Sequence, residues 1–512
     1  MTAGWSRQAC RGLLCAAALA AGAAATAAGS RRVEPFRGRH QGGIVTPQQT
    51  DTYFAAFDLV TASREEVIAL LRRWTAAAAR MSQGRTAGPL GQDPGVPAGD
   101  TLDVLGLPPS RLTLTFGFGA GLFVKDGVDR YGLAARRPEA LVDLPAFAGD
   151  QLVAGSTGGD LSVQACADEP QVAFHAVRQL ARLAEGVAQL RWVQAGHFGD
   201  FGRGATGRNL MGFLDGTGNP AVGDARLMDR FVWVGSEGPG WMRGGSYVVA
   251  RRSRIALEHW DRMNVAFQEQ TFGRRKRTGA PLGGRREKDP VRLDATDGDG
   301  NPVIAENAHV RLGNRDRNGG MQILRRSYNY NDGLDFTAER WPPWRQGLEY
   351  DAGLLFICYQ RDPRTGFIPM FQQMAKLDLL NQFVTGTGGA LFACPGGVAR
   401  GEFIGQRLFE PPVAGAAPAM LAEDPVAGVE VTLQDHRFVP AEIHVKAGKP
   451  TFLTVTNRDA TPEEFELLQL AIEKVIPGGG QGKVRLRPLG PGRYPFRGEF
   501  HQDTAQGAVI AE

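Results

Sequence analysis

Asn209-Leu-Met-Gly-Phe-Leu-Asp215-Gly-Thr-Gly-Asn-Pro220 sets one carboxylate, Asp215, among three glycines and closes on Asn-Pro. Glycine lets the backbone approach a flat ligand closely and adopt positive φ. Asn-Pro reads as a turn. Alone, an acidic side chain in such a segment is a turn former. Two later stretches change that reading. Ala308-His309-Val-Arg-Leu-Gly-Asn314 supplies an imidazole, and Gln322-Ile-Leu-Arg325-Arg326-Ser-Tyr328 supplies two adjacent guanidiniums. In a strand Arg325 and Arg326 point to opposite faces, so only one of them can serve a given site.

Taken in this order, the three stretches resemble the dye-decolorising peroxidases, a haem enzyme family, and the similarity runs from about Gly38 to Phe409. The resemblance implies haem b, hydrogen peroxide as oxidant, and a small reductant or ferrous iron as electron donor. It implies His309 as the proximal iron ligand, because neutral imidazole is a strong fifth ligand for haem iron. A partner acid on its other ring nitrogen makes such a ligand more anionic, and Asp378 matches the family's acidic position. On the other face peroxide must lose a proton from one oxygen and gain one on the departing oxygen, which a single positioned carboxylate can do. By resemblance that carboxylate is Asp215. Negative charge develops as the O–O bond breaks, and an adjacent guanidinium stabilises it; Arg325 takes this role, with Arg326 as the alternative. Gly216, Thr217 and Gly218, with Asn314, Arg315 and Asp316, match positions that line haem, and Arg315 suits a propionate. The resemblance is nearest to the peroxidase component of bacterial ferrous-iron uptake, also described as a deferrochelatase that takes iron from haem. An iron permease or another uptake component is then the expected partner. The alternative is a haem or iron delivery protein with negligible turnover, which needs neither Asp215 nor Arg325.

The expected fold is α+β. Strand-like Tyr53–Val60 is followed by Ser63-Arg-Glu-Glu66, a capping box, then Val67, Leu70, Leu71 and Trp74 at helical spacing. Further strands are expected from Arg111 to Phe116, Leu161 to Ala165 and Leu190 to Val193. A second helix starts at Asp168-Glu-Pro170 with Phe174, Val177 and Leu180 on its apolar face. That order, β-α-β-β-α-β, is a ferredoxin-like unit. It recurs as strand 246–250, helix 255–267, strands 321–330 and 353–359, helix 369–380 and strand 390–393. Two ferredoxin-like halves, about 50–200 and 240–400, therefore make up a domain over 30–410. A Pro/Ala linker follows at 411–425. Short strands at regular spacing over 426–512 suggest a small β-sandwich. Phe438-Val-Pro, Val445-Lys-Ala-Gly448, Val455-Thr-Asn457 and Leu489-Gly-Pro-Gly-Arg-Tyr494 resemble a cupredoxin-like domain, of a kind found in bacterial iron-uptake proteins.

A blue-copper centre needs a thiolate, yet no cysteine follows Cys394 and no methionine follows Met420. Candidate donors after that point include His436, His444, His501, Glu463, Glu464, Glu466, Glu499 and Asp503. Glu464, Glu466 and His501 are the expected cluster for a non-blue metal ion, on the assumption that 461–466 and 498–503 are loops at one end of the sandwich. The competing expectation is a metal-free domain that docks a partner.

A net charge of +4 over 512 residues is small and does not argue for a nucleic-acid partner. Arg274-Arg-Lys-Arg277 with Arg285-Arg286 reads as a solvated loop. Residues 1–29 have a signal-peptide layout, with Arg7 and Arg11 ahead of an Ala/Leu-rich run and Ala25-Thr-Ala27 as the cleavage site. A periplasmic or otherwise extracytoplasmic protein is expected, with no permanent membrane span. The family often uses a twin-arginine signal, but Ser6-Arg7-Gln8 lacks the Arg-Arg pair. Of five cysteines, Cys166, Cys358 and Cys394 lie beyond this segment, isolated and without a disulfide or metal pattern. Trp341-Pro-Pro-Trp344 and the Tyr328/Tyr330 pair are candidate electron relays, although packing is the usual use of such aromatics.

Overall fold

The structure is a computed structural model; it describes residues 32–91, 98–202, 205–338, 346–410, 428–449, 451–470, 472–486 and 489–512. The signal-like segment and Trp341-Pro-Pro-Trp344 lie outside the described residues. The chain divides into two compact units, Met1–Pro411 and Pro412–Glu512.

In the first unit β1 (Asp51–Leu59), β2 (Thr113–Phe118), β3 (Leu161–Ala167) and β4 (Ala188–His197) form one half, in the order β2-β3-β1-β4. The second half, β5 (Ser246–Ile255), β7 (Tyr328–Ala338), β8 (Gln346–Gln360) and β9 (Val384–Cys394), repeats that order as β9-β5-β8-β7. The halves join at both edges, where Phe118 pairs with Ala393 and His197 with Asn329. The eight strands thus close on themselves, which leaves neither half with a free edge at the junctions.

Helix α1 (Arg64–Met81) starts where Ser63 accepts a hydrogen bond from the Glu66 amide at 3.2 Å. It buries Val67, Leu70, Leu71 and Trp74, and the Trp74 indole donates to the Leu180 carbonyl of α2 (Pro170–Leu183) at 2.8 Å. Phe174 departs from the expected apolar face of α2. It is 42% exposed and meets Tyr53 edge-on, while Val172, Ala173 and Ala176 take the inner positions.

Two expected elements of the second half are interrupted, each by a side chain that competes with the backbone ladder. The helix expected over 255–267 is two pieces, α3 (Leu257–Asp261) and α4 (Val265–Phe272), because Asn264 caps the second by accepting from the Phe267 amide at 2.9 Å. The strand expected over 321–330 begins as β6 (Leu324–Arg325) and resumes as β7. Both pair with β8, and Ser327 Oγ takes the Ile357 amide at the break. Cys166, Cys358 and Cys394 are free and buried, and burial pushes the Cys358 and Cys394 thiols far above the ordinary range. They are packing groups.

The second unit is a two-sheet β-structure. One sheet runs β11 (Arg437–Val439), β10 (Gly428–Gln434), β13 (Thr451–Asn457), β16 (Gln481–Leu486). The other runs β12 (Glu442–Val445), β18 (Gln506–Ala511), β17 (Gly492–Gly498), β14 (Glu463–Leu467), β15 (Ile472–Ile476). Leu433, Phe438, Leu453, Phe465 and Phe496 meet between them. Strand β14 covers residues expected to be a loop. Among the described residues no helix is long and apolar enough to cross a membrane.

Candidate functional site

The long connections of the second half carry the chemistry. The segment before β5 holds the glycine-rich stretch. The segment between β5 and β6 holds His309, and the end of α5 (Phe367–Leu377) presents Asp378.

His309 opens a single helical turn, His309–Leu312, and its Nδ1 donates to Asp378 Oδ2 at 2.7 Å. Asp378 is held in turn. Its Oδ1 accepts from the Leu380 amide at 2.9 Å, capping the short helical segment that follows, and its side chain is 3% exposed. The other ring nitrogen of His309, Nε2, has no partner among the described residues, and a third of the side chain is exposed. An imidazole oriented by a buried carboxylate and open at Nε2 fits an iron ligand.

Asp215 Oδ1 accepts from the Arg325 guanidinium at 3.1 Å. The carboxylate side chain is 14% exposed and the guanidinium 27%, so the pair is partly sheltered yet open to a small molecule. Glycines shape the approach. Gly216 has φ +113°, which favours glycine, and a Cβ on Gly218 would stand 4.0 Å from Arg325 Nη2. Arg326 faces the other way. It is buried and donates to the Thr46 carbonyl and Gln49 Oε1. Strand alternation thus leaves Arg325, not Arg326, beside Asp215.

The two pairs share one wall. The Phe272 ring lies 5.7 Å from that of His309 and stacks on Phe213 at 3.9 Å, and Phe213 is two residues before Asp215. Gly273 lets this wall close, since a Cβ there would meet Val310 Cγ1 at 2.5 Å.

Of the remaining expected residues, Thr217 donates to Glu287 Oε1 at 3.0 Å, and Thr206 donates to the same oxygen at 2.5 Å. Asn314 caps a turn by accepting from the Asp316 amide at 2.9 Å. Arg315 and Asp316 point outward, their side chains 64% and 70% exposed, and pair with each other at 3.6 Å. Arg315 is therefore accessible to an anionic group, and no contact among the described residues directs it toward Asp215.

Three further residues shape the site. Asn219, read as a turn former, clasps the backbone of Arg325: its Nδ2 donates to the Arg325 carbonyl at 2.8 Å and its Oδ1 accepts from the Arg325 amide at 3.0 Å. Glu287 collects the two threonine hydroxyls. Arg274 is not in a solvated loop; its guanidinium donates to the carbonyls of Gly279 and Glu287 at 2.7 and 3.0 Å. Burial holds its pKa below the usual range; Glu287 acts against this shift and the nearby positive charge of Arg325 adds to it. Two guanidiniums at one site favour anionic ligands.

In the second unit the expected cluster needs correction. Glu464 and Glu466 lie on strand β14, where alternate residues face opposite sides, so Glu463, not its neighbours, turns inward. Glu466 instead accepts from Arg497 at 2.8 Å. His501 Nδ1 donates to Glu463 Oε2 at 2.7 Å.

Comparison with known proteins fits this geometry. Residues 41–198 match the family described as Dyp-type peroxidase, N-terminal, residues 206–399 match Dyp-type peroxidase, C-terminal, and residues 413–511 match a cupredoxin-like domain. A dye-decolorizing peroxidase of Thermobifida fusca is 39% identical over 386 residues, covering 72% of this chain and 84% of that relative. A deferrochelatase of Escherichia coli strain K12 is 35% identical over 386 residues, covering 73% and 87%. The crystal structure of a DyP-type peroxidase from Streptomyces coelicolor superposes with a TM-score of 0.67 at 42% identity, covering 75% of this chain and 98% of that one. Ferric DtpA from Streptomyces lividans gives a TM-score of 0.66 at 42% identity, covering 75% and 98%.

Proposed function

The chain belongs to the Dyp-type peroxidase family and is a haem-dependent peroxidase; from that premise we propose that it is an exported enzyme of iron handling. In this reading it works outside the cytoplasm, in the periplasm or its equivalent. It reduces hydrogen peroxide and oxidises dyes, phenols or ferrous iron. Iron release from haem is a second activity of the same site, and an iron permease or another uptake component is the partner.

The observation that carries turnover over haem carriage is the Asp215–Arg325 pair, because carriage alone needs neither an acid–base group nor a cation beside it. The fused second unit supports the link to iron, since it offers imidazole and carboxylate donors without a thiolate.

Haem b, when bound, supplies the redox-active iron and a conjugated ring that holds oxidising equivalents until a reductant delivers electrons. The chain's own groups do the rest. His309 offers Nε2 to the iron, while Asp378 fixes the ring and raises its basicity through Nδ1. Asp215 has Oδ1 engaged by Arg325, which leaves Oδ2 to take a proton from one peroxide oxygen and return it to the other. The Arg325 guanidinium stabilises the negative charge that builds on the departing oxygen.

The test uses haem-loaded full chain and three assays: peroxide-dependent oxidation of a dye, peroxide-dependent oxidation of ferrous iron, and fluorescence of iron-free porphyrin after incubation with haem. Turnover of ferrous iron together with release of iron-free porphyrin is expected. Dye turnover without either iron reaction would remove the iron-handling role and leave a general peroxidase.

A further inference from the structure

We propose that His436, Glu463 and His501 bind one divalent first-row transition-metal ion in the second unit. One donor atom from each residue lies within 4.8 Å of those of the other two. The site stands on the second unit alone and does not depend on the peroxidase reading.

Each ligand is placed by a separate device. His436 occupies the second position of the two-residue Asp435–His436 loop joining β10 to β11, and both residues have φ +53°. Positive φ at both positions is the geometry of a type I′ hairpin turn, which normally takes Asn and Gly. A histidine there sits in a sparsely populated conformation, of a kind that persists where the surroundings over-determine it. Asp459 provides that restraint. Its two oxygens accept the amides of Asp435 at 2.7 Å and His436 at 2.9 Å, and Oδ2 stands 3.5 Å from His436 Nδ1. Asp459 thus acts on the turn and orients the imidazole, as outer-shell carboxylates do at metal sites.

Glu463 is 1% exposed. Its Oε1 accepts from the amides of Phe500 at 2.8 Å and Glu464 at 3.2 Å, while Oε2 faces His501 Nδ1. Gly498 on the paired strand β17 leaves room for this carboxylate, since a Cβ there would stand 2.6 Å from Glu463 Cδ. A buried carboxylate is costly unless paired or metal-bound. The His501 ring closes the site by stacking on His436 at 3.7 Å and 16°. Two imidazoles brought face to face over a buried carboxylate serve no packing need of the apolar core, which lies between the sheets at Phe438, Phe465 and Phe496.

Two nitrogens and one carboxylate oxygen are the donors of sites for Zn(II), Cu(II) and Fe(II) that keep open coordination positions. Without a thiolate no intense blue colour arises. The second described cluster of this kind, Asp100, Asp103 and His175 in the first unit, is already committed to loop structure. Asp100 there accepts the amides of Ala87 at 2.6 Å and Leu102 at 2.8 Å.

The test is calorimetric titration of the haem-loaded full chain with Zn(II), after dialysis against a chelator, for the wild type and for H436N, E463Q, H501N and D103N. Asparagine tolerates the left-handed turn at 436, and Gln keeps the shape of Glu463, so the fold is retained; unchanged thermal transitions verify it. One equivalent is expected in the wild type and in D103N, with at least tenfold weaker binding in the other three and an unchanged haem absorption band. Cu(II) loading should give an EPR signal with superhyperfine structure from two imidazole nitrogens, reduced to the coupling of one in H436N and in H501N. No stoichiometric Zn(II) binding in the wild type, or equal binding in all variants, overturns the proposal.

Discussion

Asp378 Oδ2 accepts the Nδ1 proton of His309 at 2.7 Å, and the same carboxylate's Oδ1 caps the next turn through the Leu380 amide at 2.9 Å. One side chain therefore sets both the ring's orientation and the local backbone. D378N keeps the cap, because the amide oxygen still accepts, but removes the anion facing His309. Haem affinity, measured by transfer to apomyoglobin, should fall about 10- to 100-fold with little change in thermal stability.

H309A removes the imidazole that faces Asp378. The variant should lose most of its haem during purification, or bind it without a histidine-ligated spectrum. A normal ligand-field spectrum in H309A would place the iron ligand elsewhere.

Asn219 makes two hydrogen bonds to the backbone of Arg325, so N219A leaves one amide and one carbonyl to find other partners. Each such bond contributes about 1 kcal/mol, and the unfolding free energy should drop by roughly 1–3 kcal/mol. If Asn219 positions Arg325, the peroxide reaction should also slow while haem content stays full. A stability loss with an unchanged peroxide rate would assign Asn219 to structure alone.

His40 predicts a pH effect on stability. Its ring stacks on Trp233 at 3.8 Å and Nδ1 donates to the Gly244 carbonyl at 2.6 Å. Burial, the main cause, lowers its pKa, with the Gly244 contact acting in the opposite direction. A histidine whose folded pKa lies below its unfolded value is protonated more readily in the unfolded chain, so its stability contribution is present above about pH 6.5 and is lost as pH falls. H40F keeps the stacking and cannot titrate. The melting-temperature gap between wild type and H40F should therefore shift in favour of H40F from pH 8 to pH 5; a gap independent of pH would show that His40 does not titrate differently on folding.

The first helix was legible because Val67, Leu70, Leu71 and Trp74 keep strict helical spacing, whereas the recurrence of the β-α-β-β-α-β order in the second half rested on family resemblance. Edge joining of the halves through Phe118–Ala393 and His197–Asn329 was not legible, since single long-range pairings leave no periodic trace. Asp215, His309 and Arg325 could be singled out by family resemblance. Glu287 and Arg274 could not, because they sit in a loop whose composition looks solvated, and the threonines that meet Glu287 lie 81 and 70 residues away. The exchange of Glu463 for Glu464 and Glu466 has a simpler cause. Thr461-Pro-Glu-Glu-Phe-Glu466 carries a proline and a run of acids, which argue for a loop, whereas Phe465 and Leu467 alternate into the core and make it a strand.

We propose that Asp215 and Arg325, 3.1 Å apart, handle the proton and the charge of peroxide cleavage. It is tested most directly by stopped-flow absorbance of haem-loaded protein mixed with hydrogen peroxide, comparing the second-order rate constant of wild type with D215N and R325L from acidic to neutral pH. Both variants should bind haem fully and react about 100-fold or more slowly at the optimum, as for removal of an acid–base or charge-stabilising group. Wild-type rates in both variants at acidic pH would contradict the account.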